Sequence, residues 1–346
     1  MEKLRVIQWT TGKVGKMSLR AILADPRLEL VGCFAHSAEK AGQDAGVLCG
    51  LPPCGVAATS DIDALIALKA DSVIYVPFVG DLDHAVRLLE AGMDVISTNL
   101  FLNVGGIQGE VKARLDAACA KGGSSFYITG INPGWINTMV AGMTAVCRKV
   151  ACVAVTESAD CSMYESVETW TTLGMGQPEV TPAIQQAAHD WMIMFRDTVF
   201  RMAQALGFEI DATEFLAEFA TAAEDIELGW FRMAKGTIAA IRAGWAGKVK
   251  GQTVVRNQVV WYLTTKLNEG WDIDADQYHV VISGEPELTA RFRITPPAHW
   301  AHNDWESLTA LPAVSAVPDV KAARAGVLGL KDVGLTCAPA GLWLGR

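Results

Sequence analysis

The sequence predicts an α/β chain: an N-terminal doubly wound parallel sheet with a second α+β domain. Three observations predict it. Short apolar runs alternate with amphipathic segments as far as residue 135. The first of these runs enters a glycine-containing turn that opens a helix. After Pro133 the texture changes, first to helices rich in Met and Trp, then to consecutive β-rich runs.

At 346 residues, 51% of them hydrophobic, the chain is long for one core, and two domains are expected. No apolar run approaches the ~18–20 residues of a membrane span. The opening Met-Glu-Lys-Leu-Arg-Val enters a strand at once, so no signal peptide is expected and the protein is expected to be soluble and cytoplasmic. A formal net charge of −9 argues against nucleic-acid binding, which needs a basic face. The eight cysteines form no C-x-x-C pair and the six histidines no ligand pairing, so no metal is expected.

Leu4 to Trp9 reads as a buried strand, Thr10 to Gly15 as a turn, and Lys16 to Ala24 as an amphipathic helix. A helix N-terminus offers unpaired N–H groups and partial positive charge, which suits a pyrophosphate. Gly12 allows the backbone to approach phosphates, and Gly15 allows the helix to pack on the strand. Thr10 stands where the G-x-G-x-x-G fingerprint has its first glycine. A second strand, Leu28 to Ala35, follows at βαβ spacing and ends at His36-Ser37, with Lys40 nearby. NAD-binding folds usually place Asp or Glu at this tip. A hydroxyl and a cation suit a 2′-phosphate better, so NADP is favoured, with NAD possible.

Residues 41–60 read as loop, and Asp61 to Leu68 as a helix capped by Asp61. Asp71 to Pro77 is the next strand and Leu82 to Ala91 the next helix. Asp94 to Thr98 is a strand, Glu110 to Lys121 a helix, and Ser125 to Thr129 a strand. Loops 10–15, 36–40, 77–81, 98–103 and 129–135 should then lie along one sheet edge, where open α/β sheets bind ligands. The expected cofactor contacts are Thr10, Thr11, Gly12, Val14, Gly15, His36, Ser37, Lys40, Pro77, Thr98 and Asn132.

An ordered series of segments carries a family resemblance. It comprises Val6-Ile7-Gln8-Trp9-Thr10-Thr11-Gly12-Lys13-Val14-Gly15, then His36-Ser37 with Lys40, Gly42 and Asp44-Ala45-Gly46, then Gly130-Ile131-Asn132-Pro133-Gly134. Gly236 to Ala240, Val281 to Pro286 and Ala310 to Val314 continue it. The chain resembles the dihydrodipicolinate-reductase-like group that includes 2,4-diaminopentanoate dehydrogenase and the native NAD(P)H-dependent amine dehydrogenases. The resemblance implies a Rossmann cofactor domain, an α+β substrate and dimerisation domain, a homodimer, and hydride transfer to an imine or carbonyl carbon. It implies that 130–134 lies near nicotinamide and substrate, and that a C-terminal helix around Thr309 to Ala316 packs back on the cofactor domain. Amine-forming members carry a glutamate soon after the strand matching 94–98. Here Phe101-Leu102-Asn103 stands there, and the next carboxylate is Glu110. The Lys-rich or His-His pairs of a dihydrodipicolinate reductase proper are absent, so lysine-pathway reduction is rejected. The expected division is 1–135 for the cofactor, 136–300 for substrate and dimerisation, and 301–346 returning to the first domain.

In the second domain Asn137 to Cys147 reads as a helix and Val150 to Glu157 as a strand. Residues 166–206 read as helical, broken near 174–178, with Thr181-Pro182 as a second start. Their Trp and Met stripe suits a core, a dimer interface or a large apolar substrate site. Phe219 to Gly229 reads as a helix with a solvated acidic face. Trp230 to Ala243 reads as a strand in the pattern of the resemblance, although Met233 to Arg242 could equally start a helix; Gln252 to Leu267 is β-rich, and Tyr278 to Ser283 and Leu288 to Ile294 read as strands, together an open sheet able to pair across a dimer axis.

Hydride transfer needs a donor or positive charge at the carbonyl or imine as the hydride arrives. The catalytic candidates are Asn132, Asp160 and Tyr164, with Glu157 and Glu165 nearby in sequence; a turn, capping or packing role is the plain alternative for each. Phe101, Trp135, Trp170 and Met175 are the candidate substrate contacts, in segments where basic residues are scarce. The substrate is therefore expected to be an apolar ketone, aldehyde, imine or amine. Two other readings stand beside this oxidoreductase: a cofactor-binding redox sensor without strong catalysis, and an NADPH-dependent C=C reductase.

Overall fold

A computed structural model describes residues 2–273, 277–300 and 302–338. The chain forms two compact units: one from the chain up to Thr138 with the chain from Asn303 onward, the other from Met139–His302.

The first unit alternates strands β1 (Leu4–Trp9), β2 (Leu28–Phe34), β3 (Ala58–Thr59), β4 (Ser72–Tyr75), β5 (Asp94–Ser97) and β6 (Ser125–Ile128) with helices α1 (Lys13–Ala24), α2 (Ala45–Leu48), α3 (Ile62–Ala67), α4 (Leu82–Glu90) and α5 (Gly109–Gly122). Among the described residues its sheet has seven strands, ordered Gly326–Val327, β6, β5, β4, β1, β2, β3, all parallel. Both faces are covered, so the central strands are apolar without alternation. Val6, Ile7, Val73, Ile74, Val95 and Ile96 have no exposed surface. The two strands beyond the expected five are two-residue edge pairings, too short to carry a periodicity. Helix α1 begins three residues earlier than expected, with Gly12 as its N-cap. Helices α3 and α4 start on Asp61 and Asp81, whose carboxylates accept first-turn N–H groups. Gly123, at φ 63°, ends α5 in the left-handed conformation that glycine adopts without strain.

From the last segment, helix Ser307–Ser315 packs against α1 and the 131–135 turn. A Cβ added at Gly130 would lie 3.5 Å from Thr309 Cγ2.

The chain leaves the first unit through α6 (Ile136–Met143). The second unit holds β7 (Lys149–Asp160), then α7 (Val167–Thr172), α8 (Pro182–Trp191) and α9 (Ile193–Leu206). Strands β8 (Ala212–Thr221), β9 (Ile226–Glu227), β10 (Arg232–Met233), β11 (Ile238–Val249), β12 (Gln252–Tyr262), β13 (Tyr278–Glu285) and β14 (Leu288–Phe292) follow. The main sheet is ordered β14-β13-β7-β12-β11-β8, with β7 and β12 parallel and the other pairs antiparallel. Helix α9 covers one face over β11 and β12. At Gly247 an added Cβ would meet Val199 Cγ1 of α9 at 2.7 Å, so glycine permits the close approach.

One element differs in kind. The expected helix from Phe219 to Gly229 is instead the end of edge strand β8, followed by a turn and β9. Strand β8 pairs with β11 along nearly its whole length, Phe219 opposite Ile241 and Phe215 opposite Trp245. Trp230 to Ala243 likewise resolves into the short β10 and the start of β11. No helix among the described residues is long and apolar enough to cross a membrane.

Candidate active site

The corner after β1 is built on an unusual threonine. Thr10 takes φ 74°, the left-handed region that the fingerprint's first glycine would adopt freely. For threonine this costs roughly 1–2 kcal/mol, and three hydrogen bonds hold it. Its N–H donates to Phe34 O at 3.0 Å, its hydroxyl donates to Val76 O at 3.1 Å, and its carbonyl accepts from Gln8 Nε2 at 3.0 Å. Thr11 is buried behind it. An added Cβ at Gly12 would meet nothing within 4 Å, which leaves the helix N-terminus open to an incoming group. At Gly15 it would sit 2.3 Å from Thr10 O. Neither a side-chain cap nor a first-turn acid quenches the positive end of α1. Val14 packs its side chain on the core of the unit.

Lys40 reaches back from the end of β2, its Nζ donating to Thr11 O at 3.4 Å. His36 and Ser37 are exposed beside it. Trp9 and Phe34 stack at 4.2 Å and 7°, and His84 packs edge-on against both. These rings line a cavity of about 790 Å³ with His36, Pro77 and Phe78. It opens between the ends of β1, β2 and β4, where the strand order reverses. Phe78 is 95% exposed there.

Asn99, which sequence reasoning missed, ties the loop after β4 to the loop after β5. Its Nδ2 donates to Pro77 O and Phe78 O, both at 3.0 Å, and its Oδ1 accepts from Phe101 N at 2.7 Å. Asn103 Nδ2 donates to Gly80 O at 2.9 Å. Two asparagines in loops at one sheet edge were the available signal. Thr98 is half-buried, its N–H donating to Tyr75 O at 3.2 Å. Phe101 has no exposed surface and packs between Tyr75 and Phe126. It is a core residue of the first unit, not the expected wall of a substrate pocket, held there by those two rings.

Asn132 and Trp135 are half-buried in the turn after β6. Trp135 N–H donates to Gly130 O at 2.7 Å, and Gly134 N–H to Asn137 Oδ1 at 2.8 Å. Gly134, at φ 146°, lies where a Cβ would meet Thr129 Oγ1 at 2.9 Å.

In the second unit Asp160 is exposed, and its Oδ1 accepts from Ser162 N at 2.9 Å, closing the turn after β7. Tyr164 and Glu165 are exposed on that turn. Trp170 is buried, its Nε1 donating to Tyr164 O at 2.8 Å. Met175 has no exposed surface, so it too packs in the core rather than presenting itself to a ligand. Glu157 accepts from Trp261 Nε1 at 3.3 Å and from the Tyr278 hydroxyl at 3.1 Å. Burial and the adjoining carboxylate push the Tyr278 phenol far above its ordinary range. Among the described residues no His, Cys, Asp and Glu group is arranged to hold a metal ion.

Comparison with known proteins agrees with this geometry. Residues 6–81 match the family described as dihydrodipicolinate reductase, N-terminus. Residues 135–342, more than half of the chain, match the 2,4-diaminopentanoate dehydrogenase C-terminal domain. The chain belongs to the 2,4-diaminopentanoate dehydrogenase C-terminal domain family. This family member is 29% identical over 314 residues to an amine dehydrogenase of Streptomyces virginiae, covering 84% of this chain and 85% of the relative. It is 39% identical over 79 residues to a 4-hydroxy-tetrahydrodipicolinate reductase of Synechococcus elongatus, covering 23% of this chain and 29% of that one. The amine dehydrogenase structure from Mycobacterium smegmatis shares its fold with a TM-score of 0.74 at 18% identity, over 97% of both chains. The 2,4-diaminopentanoate dehydrogenase family member is therefore an NAD(P)-dependent oxidoreductase.

Proposed function

We propose that this oxidoreductase transfers a hydride between NADPH and the imine or carbonyl carbon of a mainly apolar substrate, as an amine dehydrogenase does. The observation that carries the reading is the alignment with the Streptomyces virginiae amine dehydrogenase over 84% of the chain.

The residues present fit a dinucleotide. Gly12 leaves open space at the N-terminus of α1, which receives the pyrophosphate through backbone N–H groups. Thr10, Thr11, Val14 and Gly15 shape that turn. The cavity of about 790 Å³, with its stacked Trp9 and Phe34, takes the adenosine half, walled by Pro77. Lys40, with His36 and Ser37, faces a ribose 2′-phosphate, and this supports NADP over NAD. Thr98 and Asn132 serve the nicotinamide half. When bound, the nicotinamide supplies or accepts the hydride.

In the first unit Asn132 is the candidate for orienting a reacting group; in the second Tyr164 is the candidate for holding a proton, with Asp160 serving the turn that carries it. Trp135 in the first unit and Trp170 in the second are, each by itself, candidate contacts for an apolar substrate. The protein acts as a homodimer that pairs through the uncovered face of the second sheet.

The test is NADPH oxidation over a panel of apolar ketones and aldehydes, with and without ammonium at mildly alkaline pH. Ammonium-dependent turnover supports the reading. Turnover without ammonium makes the protein a carbonyl reductase instead. No turnover under either condition overturns the substrate class.

A further inference from the structure

The loop after β4 holds its backbone closely and leaves its largest side chain outside. Asn99 Nδ2 donates to Pro77 O and to Phe78 O at 3.0 Å, and Asn103 Nδ2 donates to Gly80 O at 2.9 Å. The Tyr75 hydroxyl donates to Asp81 O and accepts from Asp81 N, both at 2.9 Å. Gly80 lets the Asn99 clamp close, since a Cβ there would lie 2.3 Å from Asn99 Oδ1. On this fixed backbone the Phe78 ring is almost fully exposed. A lone exposed apolar side chain is ordinary on a protein surface. This one stands at a cavity of about 790 Å³, and burying it by moving the loop would break the bonds just named.

The place of the cavity says what meets the ring. Its lining joins the ends of β1 and β2 to the start of α4, through Trp9, Thr10, Phe34, His36 and His84. Among the described residues that lining includes neither Thr98 nor any residue from 129 to 135. It therefore adjoins the pyrophosphate turn and the His36 corner, and not the loops assigned to the nicotinamide half. Trp9 and Phe34 are stacked on each other, and Tyr75 packs on Phe101. All three are buried, so of the Phe, Tyr and Trp rings described in the lining only Phe78 has open faces. A nucleic base stacks on such a ring whatever its edge groups, because every base has a π face.

We propose that Phe78 is the residue on which the adenine ring of the cofactor stacks, fixing the adenosine half in this cavity. This rests on the dinucleotide reading and names the side chain that holds the base. The rival role for an exposed phenyl ring is a wall for the apolar substrate, and that role leaves cofactor affinity untouched when the ring is removed.

The experiment is calorimetric titration of the full chain with NADPH and, separately, with adenosine 2′,5′-bisphosphate, which carries the adenosine half without nicotinamide. Phe78→Ala should weaken both ligands by a similar factor of about tenfold, the range for one base stacked on an aromatic side chain. Phe78→Trp should bind both at least as tightly as the wild type. Phe78→Leu, apolar but without a π face, should behave like Phe78→Ala. The circular-dichroism spectrum should not change in any of the three, because the ring is exposed. Unchanged affinities in Phe78→Ala overturn the proposal and leave the dinucleotide reading standing. Weakening of NADPH alone overturns it too, by moving the ring to the nicotinamide half, and wild-type affinity in Phe78→Leu overturns stacking. A wild type that binds neither ligand overturns the dinucleotide reading itself, an outcome distinct from the other three.

Discussion

Gly12 and Gly15 are three residues apart and are glycine for different reasons. A Cβ at Gly15 would press on a backbone carbonyl 2.3 Å away that three bonds on Thr10 keep in place. Gly15→Ala should lower stability by about 1–3 kcal/mol, as overpacking does, read by urea unfolding. Gly12→Ala meets no neighbour. It should unfold like the wild type but bind NADPH more weakly, because the added methyl stands where phosphate must approach. A Gly12→Ala protein with unchanged NADPH affinity would contradict the placement of the pyrophosphate. Lys40→Met should raise the KM for NADPH about tenfold or more and leave that for NADH nearly unchanged, the range for a lost hydrogen bond to charge. The two glycines were readable from their place after a strand. The left-handed Thr10 was not, because its strain is met by Phe34, Gln8 and Val76, two of which are distant in sequence. Asp44 gives a pH test at the same scale. Its carboxylate accepts from the N–H groups of Cys54, Gly55, Gly46 and Val47, which hold its pKa at about 2. A depressed acid stabilises fully above its unfolded pKa of about 3.9 and loses that contribution as pH falls toward the folded value. Wild-type stability should therefore fall between about pH 4 and 2 more steeply than that of Asp44→Asn, measured by chemical unfolding at each pH.

The five longer strands of the first unit were legible to within two residues because each is a short buried apolar run bounded by turn residues, whereas α1 starts three residues earlier than expected and α2 lies in a stretch that reads as loop. The loops between them were legible only as positions. That Asn99 clamps the 77–80 loop depends on carbonyls 21 and 22 residues away. Asn99→Ala removes three bonds, and since Asn99 is half-exposed, water replaces part of them. The expected loss is about 1–2 kcal/mol, seen as a lower urea midpoint with an unchanged slope. Strand β8 shows where periodicity fails. Phe215 and Phe219 are four residues apart, a spacing that fits a helix face and a strand face equally, and Glu214 and Glu218 share it. Pairing with β11 decides the matter, and that partner lies beyond a turn and a short hairpin. Phe101 failed for a related reason: its ring packs on Tyr75 and Phe126, partners some 25 residues away on either side that no local pattern reveals.

At the scale of the whole molecule, the texture of the sequence changes after Pro133, and the chain divides into compact units between Thr138 and Met139. The uncovered face of the second sheet left no such mark, since its polar residues come from strands far apart in sequence. Thr156 and Ser158 of β7, Arg256 and Gln258 of β12, Arg242 of β11 and His279 of β13 meet there around a depression of about 510 Å³. Acids share the face: Glu218 accepts from Arg242 Nη1 at 2.9 Å, and Asp272 lines the depression. The Arg242 guanidinium also lies over the Trp271 ring at 4.3 Å. A surface that carries both signs side by side is self-complementary under a two-fold axis, where each basic patch meets the partner's acids. Light scattering on the eluting protein should therefore give about twice the chain mass of 37.1 kDa. Arg256→Glu should shift it toward the monomer, and raised salt should do the same in the wild type, because charges near a solvated rim are screened. A monomeric wild type at low salt would remove the homodimer. A dimer indifferent to both Arg256→Glu and salt would move the interface off this face.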